Sequence, residues 1–335
     1  MHLTEKALFL YFLSDIICSD DKTKKDEVFN MNVISAEKLT KRYGDFTAVN
    51  GISFQVRRGE LIGFLGVNGA GKSTTINMLS TLLAPTEGSA EICGVRLGAS
   101  DNEIRRKIGI VYQQNCLDDI LTVRENLICR GLLHGATKPQ TKERLKELTK
   151  ILSLGDILGK RYSTLSGGQK RRCEIAAALM HTPEILFLDE PTTGLDPATR
   201  RDVWKTIEEL RRNTGMTVFL TTHYMEEAAG ADRIIIISRG SIIAEGTPFQ
   251  LKEKYASDTV KLYCSEKEAV KKLLSEEGIT ASEIPNGLKF SVKETIDALP
   301  FIEKVKGNIG GFEVIQGNMD DVFLNAVGED LVAEE

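Results

Sequence analysis

Eight consecutive residues, Gly66-Val67-Asn68-Gly69-Ala70-Gly71-Lys72-Ser73, have the types and spacing that suit holding phosphate. The glycines let the backbone curl tightly and turn its N–H groups inward onto phosphate oxygens. A helix starting at Lys72 adds the positive end of its dipole. Lys72 can reach the β- and γ-phosphates of a nucleoside triphosphate, and Ser73 can ligate Mg2+. Thr74 follows in the same first turn and belongs to the same cradle. Taken alone, the stretch could also be a glycine-rich turn that only caps a helix. It points to nucleotide phosphate and to no particular task.

Two more stretches carry matching chemistry. Leu186-Phe187-Leu188-Asp189 is an apolar strand ending in a carboxylate. Such a strand brings Asp189 to the mouth of a sheet, where it can hold the water shell of Mg2+. Glu190 comes next, points elsewhere, and is placed to orient or polarise an attacking water. Leu165-Ser166-Gly167-Gly168-Gln169 precedes a helical run over residues 170–180. Its hydroxyl and bare N–H groups at a helix N-terminus make a second anion site. Two such sites, well separated in one chain, suggest two nucleotides shared between two subunits.

These groups need a scaffold. Residues 32–39 and 48–56 read as alternating strands around a turn at Tyr43-Gly44-Asp45. Residues 60–65 form an apolar run bounded by glycines, a buried strand, and 72–83 a helix broken by Pro85, Glu87 and Gly88. Helical periodicity marks 122–133 and 142–152, punctuated by Gly135, Pro139 and Gly155. Strands are expected at 185–188 and 217–221, helices at 199–212 and from 225, and a hairpin over 233–238 and 241–245. This alternation predicts an α/β fold with parallel strands. From about residue 258 the order becomes βαββαβ, with strands at 259–264, 280–284, 288–292 and 312–316 and helices at 266–277 and 295–305. That is the ferredoxin-like arrangement. A last helix at 319–327 completes a small α+β accessory domain over 258–330.

The chain has 335 residues, enough for about two domains. Its net charge of -5 gives no basic excess for nucleic acid, and none is expected as partner. Lys170-Arg171-Arg172 reads as a solvated face. Six scattered cysteines without a CxxC pair fit a reducing cytosol, and the dispersed histidines predict no zinc site. The apolar stretch 7–18 is too short to span a bilayer and is interrupted by Ser14 and Asp15. Residues 1–31, ending at a second methionine, Met31, are read as a non-functional extension. Any membrane role then comes through a partner.

Together the motifs resemble an ABC-type ATPase over residues 32–250, with its helical subdomain at about 115–170. Gly66 to Ser73 resembles the Walker A loop, Leu165 to Gln169 the signature, and Ile185 to Glu190 the Walker B strand with its catalytic glutamate. Gly194-Leu195-Asp196 resembles the D-loop. His223, after Thr221-Thr222, resembles the switch histidine; in isolation it could be a packed histidine. Gln113, after Ile110-Val111-Tyr112, resembles the Q-loop glutamine, which implies a place beside Mg2+ with Ser73 and Asp189. Tyr43 resembles the aromatic that stacks on adenine, with a plain turn aromatic as the alternative. Val67 stands where the family often has proline, and the Gln113-Gln114 doublet leaves the Q-loop register to the spacing from Tyr112.

The resemblance implies a P-loop NTPase core that binds ATP and Mg2+ and closes as a head-to-tail dimer. Lys72, Glu190 and His223 would serve catalysis. Ser166, Gly167, Gly168 and Gln169 would meet ATP held by the other subunit. One cassette per chain departs from translation-factor types, and the absence of a long coiled coil from chromosome-maintenance types. Lys38-Leu39-Thr40-Lys41-Arg42-Tyr43-Gly44, Ala48-Val49 and Asn318-Met319-Asp320-Asp321-Val322-Phe323-Leu324 resemble the daunorubicin-resistance-like branch of drug exporters. That branch implies an ABC-2-type permease, a homodimer or a heterodimer with a paralogous ATPase, and a cytoplasmic place on the inner face of the cell membrane. Leu117, Ile120, Leu121 and Val123 are either a permease contact or core. A non-transport ABC ATPase with a regulatory or nucleic-acid-related role is the competing class.

Overall fold

The structure is a computed structural model that describes residues 31–333. Apart from Met31, the expected extension lies outside the described residues. Two compact units are present. The first comprises residues 31–223 with Arg239–Ser241, and the second residues 224–238 with 242–333.

In the first unit, β1 (Asn32–Tyr43) and β2 (Phe46–Arg57) form a long hairpin. After β3 (Leu61–Leu65) comes α1 (Lys72–Leu79), then β4 (Glu87–Ile92) and β5 (Val95–Arg96). The order β2-β1-β4-β5 makes an antiparallel sheet. Next come α2 (Asp101–Lys107) and β6 (Ile108–Val111), followed by α3 (Val123–Leu133), α4 (Lys138–Ile151) and α5 (Gly167–Leu179). The unit ends with β7 (Ile185–Asp189), α6 (Pro197–Thr214) and β8 (Thr217–Thr222).

Strands β3, β8, β7 and β6 lie side by side in parallel. Every residue of β3, β7 and β8 is buried, as both faces of a parallel sheet require. Phe64 of β3 and Phe219 of β8 pack with Phe54 of β2 and with each other, and Phe187 of β7 packs on Phe219, with ring centroids 5.4 to 6.0 Å apart. These rings join the antiparallel sheet to the parallel one. Helix α6 turns Val203, Ile207 and Leu210 inward; Asp196 caps its start and Gly215, at φ 64°, its end.

The second unit contains the hairpin β9 (Arg233–Ser238) and β10 (Ser241–Gly246), then α7 (Pro248–Tyr255). It continues through β11 (Asp258–Tyr263), α8 (Lys267–Ser275), β12 (Ser282–Ile284), β13 (Gly287–Val292), α9 (Leu299–Val305) and β14 (Gly311–Ile315). The sheet order β12-β13-β11-β14 is antiparallel throughout. Its core includes Val260, Leu262, Val270, Leu274, Leu288, Phe290 and Val305.

The final helix, α10 (Met319–Ala333), explains why this unit starts at Tyr224 and not between 250 and 258. Its Asn325 amide donates to the Tyr255 carbonyl (2.6 Å). The Met319 N–H donates to Glu226 (3.2 Å) in the 3-10 turn Met225–Gly230.

Candidate active site

The loop between β3 and α1 takes the shape its glycines permit. Gly69 and Gly71 have φ of 84° and 110°, and Gly71 is the N-cap of α1. Val67, Asn68, Gly69 and Ser73 are exposed at the mouth; Gly66, Ala70 and Lys72 are buried. The Lys72 ammonium donates to the carbonyls of Gly66 (2.7 Å) and Val67 (3.1 Å), bracing the loop. It also lies 3.5 Å from the Glu190 carboxylate. Burial lowers the Lys72 pKa, and the charges of Glu190 and Asp189 only partly offset that.

Asp189 ends β7 in register with Thr221 of β8. Its Oδ1 accepts from the Thr221 hydroxyl (2.6 Å) and the Ser73 hydroxyl (3.3 Å). Glu190 follows in left-handed conformation, φ 47°, its N–H donating to the Thr221 carbonyl (3.0 Å). Such a backbone costs a non-glycine residue about 1–2 kcal/mol, and here it turns the side chain away from that of Asp189. Glu190 Oε2 meets His223 Nδ1 (3.0 Å), the Thr193 hydroxyl (3.0 Å) and the Gln113 amide (3.4 Å). Burial pushes the Glu190 pKa up; the hydrogen bonds from His223 and Thr193, with the charges of His223 and Lys72, outweigh it and hold the carboxyl below its ordinary value.

Lys72, Ser73, Asp189, Glu190, Gln113 and His223 are thus joined by contacts, whereas the other expected site residues are engaged separately. Tyr43 is half exposed, with the Lys41 ammonium 5.4 Å from its ring centroid. Ser166 caps α5: its hydroxyl accepts from the Gln169 N–H (3.4 Å) while the Gln169 side chain accepts from the Ser166 N–H (3.0 Å). This reciprocal cap gives Gln169 a local structural partner. A Cβ on Gly168 would overlap Thr199 Cγ2, and one on Gly167 would come 3.2 Å from Leu195 Cδ2. Close packing against the start of α6 therefore favours glycine at 168, whereas at 167 Leu195 would need to shift only slightly. Of the possible permease contacts, Leu117 and Val123 are buried and Ile120 is 78% exposed.

One reading needs correction. Arg171 is not part of a solvated face; it is 4% exposed, and its Nη1 donates to the Tyr112 carbonyl (2.5 Å). Glu174, one turn on, is buried as well. Sequence reasoning also passed over Thr193 and Thr221, which bind the two carboxylates. For the buried charges of α5 the sequence did carry a signal: Glu174 stands inside the apolar run Cys173 to Met180, where a charge needs a partner.

The family model described as "ABC transporter" matches residues 49–193. The daunorubicin/doxorubicin resistance ATP-binding protein of Streptomyces peucetius is 39% identical over 305 residues, 88% of this chain and 92% of that one. The linearmycin resistance ATP-binding protein of Bacillus subtilis is 38% identical over 310 residues, 89% of this chain and 99% of that one. Among solved structures, a dimeric ATP-binding cassette in a post-hydrolysis state with ADP and Pi bound superposes with a TM-score of 0.59. It is 29% identical and covers 64% of this chain and 98% of its own.

Proposed function

The chain belongs to the family of ABC transporter ATP-binding proteins and is an ATPase, and we propose that two copies close over two ATP molecules to energise export of a drug-like or lipophilic compound. A separate ABC-2-type permease would carry that compound, with the dimer peripheral on the inner face of the membrane. The names of the relatives, both resistance ATP-binding proteins, support the exporter reading. The four-stranded sheet order β12-β13-β11-β14 supports a ferredoxin-like accessory domain beyond residue 258. One observation carries the catalytic reading: the Glu190 carboxylate is held between Lys72 and His223, beside the Ser73–Asp189 pair.

In this reading the loop N–H groups and Lys72 hold the β- and γ-phosphates, and Tyr43 stacks on adenine. Ser73, Asp189 and Gln113 would supply the hard oxygen ligands that Mg2+ takes, and the bound ion would offset charge on the phosphates. Glu190 accepts a hydrogen bond from the attacking water and draws its proton as the water oxygen bonds to the γ-phosphorus; the bond from that phosphorus to the β–γ bridging oxygen breaks, and ADP leaves with phosphate as the second product. His223 keeps Glu190 oriented and faces the γ-phosphate. The Ser166 hydroxyl and Gly168 N–H approach the same phosphate from the second copy.

The test is size-exclusion chromatography of the Glu190→Gln protein. It should run as a dimer with Mg-ATP and as a monomer with Mg-ADP. A monomer with saturating Mg-ATP overturns the reading.

A further inference from the structure

Helix α5 grips the Gln113 segment and the end of β7 through buried charged side chains. Arg171 Nη1 donates to the carbonyl of Tyr112 (2.5 Å), next to Gln113, and Nη2 to the carbonyl of Asp189 (3.3 Å). Glu174 Oε1 accepts from the N–H groups of Cys116 (2.8 Å) and Leu117 (3.1 Å) and from the Tyr162 hydroxyl (2.7 Å). Lys170 lies 3.6 Å from the Asp119 carboxylate and over the Tyr162 ring. The segment from Tyr112 to Asp119 is therefore held at its beginning, middle and end by one helix, and that helix starts at Ser166.

The arrangement is an expensive way to fill space. Arg171 and Glu174 are 4% and 6% exposed, and the Arg171 Nε finds no hydrogen-bond partner among the described residues. A buried guanidinium with an unmet N–H is less favourable than a well-packed apolar side chain of its size. Burial pushes the Arg171 pKa down only to about 10, so the group stays cationic near neutrality.

We propose that Arg171, supported by Glu174, is a positioning residue that transmits the state of one nucleotide site to the other. It ties Gln113 and Asp189, which face the nucleotide of their own chain, to Ser166, which faces the nucleotide of the partner copy. This rests on the assignment of those three residues made above. When Mg-ATP engages the side chains of Gln113 and Asp189, the carbonyls of Tyr112 and Asp189 move with them. Arg171 then carries α5 along as a rigid element and sets the approach of Ser166 and Gly168 to the other phosphate. Its partners are backbone carbonyls, so its loss leaves the cradle of Lys72 and Ser73 intact.

The test compares Arg171→Met, Arg171→Lys and Tyr162→Phe in the full chain. Binding of a fluorescent ATP analogue, steady-state ATPase and ATP-driven dimerisation in the Glu190→Gln background are measured, with thermal unfolding as the check on folding. Arg171→Met should bind the analogue within about twofold of wild type while kcat falls about tenfold or more, the scale of one hydrogen bond to a charged group. Half-maximal dimerisation should need about tenfold more ATP. Arg171→Lys should recover part of both. If Arg171→Met does not fold, Arg171→Lys and Tyr162→Phe should each show the same split at smaller size. Wild-type kcat and dimerisation in the folded variants overturn the proposal, as does analogue affinity that falls in step with kcat. Failure of the wild-type chain to hydrolyse ATP, or of Glu190→Gln alone to dimerise, contradicts the functional reading instead.

Discussion

Glu190 Oε2 lies 3.0 Å from His223 Nδ1, so the end of β7 and the residue just after β8 share one hydrogen bond. The bond fixes the imidazole against the carboxylate that faces Lys72. Two residues on different strand ends are thereby joined in one contact, and in the proposed mechanism each depends on the other for its orientation.

Removing either partner should separate binding from turnover. Glu190→Gln and His223→Ala are expected to keep nucleotide affinity within a few-fold and to lose at least about 100-fold in kcat, the lower range for a positioned acid–base group. Phosphate-release kinetics with a fluorescent-nucleotide titration check this. A variant that loses affinity and keeps its turnover number contradicts the roles given to the pair.

Gly168 sits where α5 meets the first turn of α6. Gly168→Ala would set its methyl against Thr199, whose hydroxyl is held by Asp196. ATPase should fall about tenfold, while Thr199→Ser, which deletes the obstructing methyl, restores part of it in the double variant. A double variant no better than Gly168→Ala alone means that the loss comes from something other than this contact.

Tyr43 tests adenine stacking. Tyr43→Ala should raise the KM for ATP about tenfold with little change in kcat, and Tyr43→Phe should stay near wild type, in line with base–aromatic stacking of about 1–3 kcal/mol. Equal KM values for all three forms would make Tyr43 a turn aromatic.

The cysteines give a pH-dependent readout of burial. Cys129 is exposed, whereas burial pushes Cys93 and Cys173 up to about 12. At pH 8 a thiol reagent followed by peptide mapping should mark Cys129 readily, and the buried Cys173 only after denaturation. The linkage has a definite sign. Above about pH 8.5 an unfolded chain releases thiol protons that the folded one keeps, so these groups lower stability as pH rises towards 12. Labelling of Cys173 in the native protein at the rate of Cys129 would contradict its placement.

Legibility followed the strength of local signals. The strands expected at 60–65 and 185–188 agree with β3 and β7 to within a residue, because parallel strands buried on both faces read as apolar runs. The tight turn between β3 and α1 was readable because its left-handed positions demand glycine. By contrast, β4 has the sequence Glu-Gly-Ser-Ala-Glu-Ile, and Glu87 and Gly88 read as breakers. Its strand form comes from the ladder to β1, where Ala90 faces Ala36 and Ile92 faces Ile34. The short helix α2 buries only Ile104 and has no period to read. Pro139 read as punctuation, yet it sits in the first turn of α4 behind a Thr137–Gln140 capping box, so the helix starts at Lys138 instead of 142. Helix α1 ends at Leu79 instead of 83, with Thr81 at φ 66° just beyond.

In the candidate site, the residues that the structure joins are singled out in the sequence, whereas their pairings are not. Gln113, Glu190 and His223 meet only because β6, β7 and β8 are neighbours in one sheet. The burial of Arg171 was hidden because Lys170 and Arg172 flank it, and only the facing of α5 distinguishes a buried cation from two more accessible ones.

The central claim is that each ATP is completed by two chains. The most direct measurement is a structure of the Glu190→Gln protein with Mg-ATP. It should place the Ser166 hydroxyl within about 3 Å of the γ-phosphate that the other copy's Lys72 holds. A closed dimer with ATP in both cradles and Ser166 remote from either γ-phosphate would contradict it.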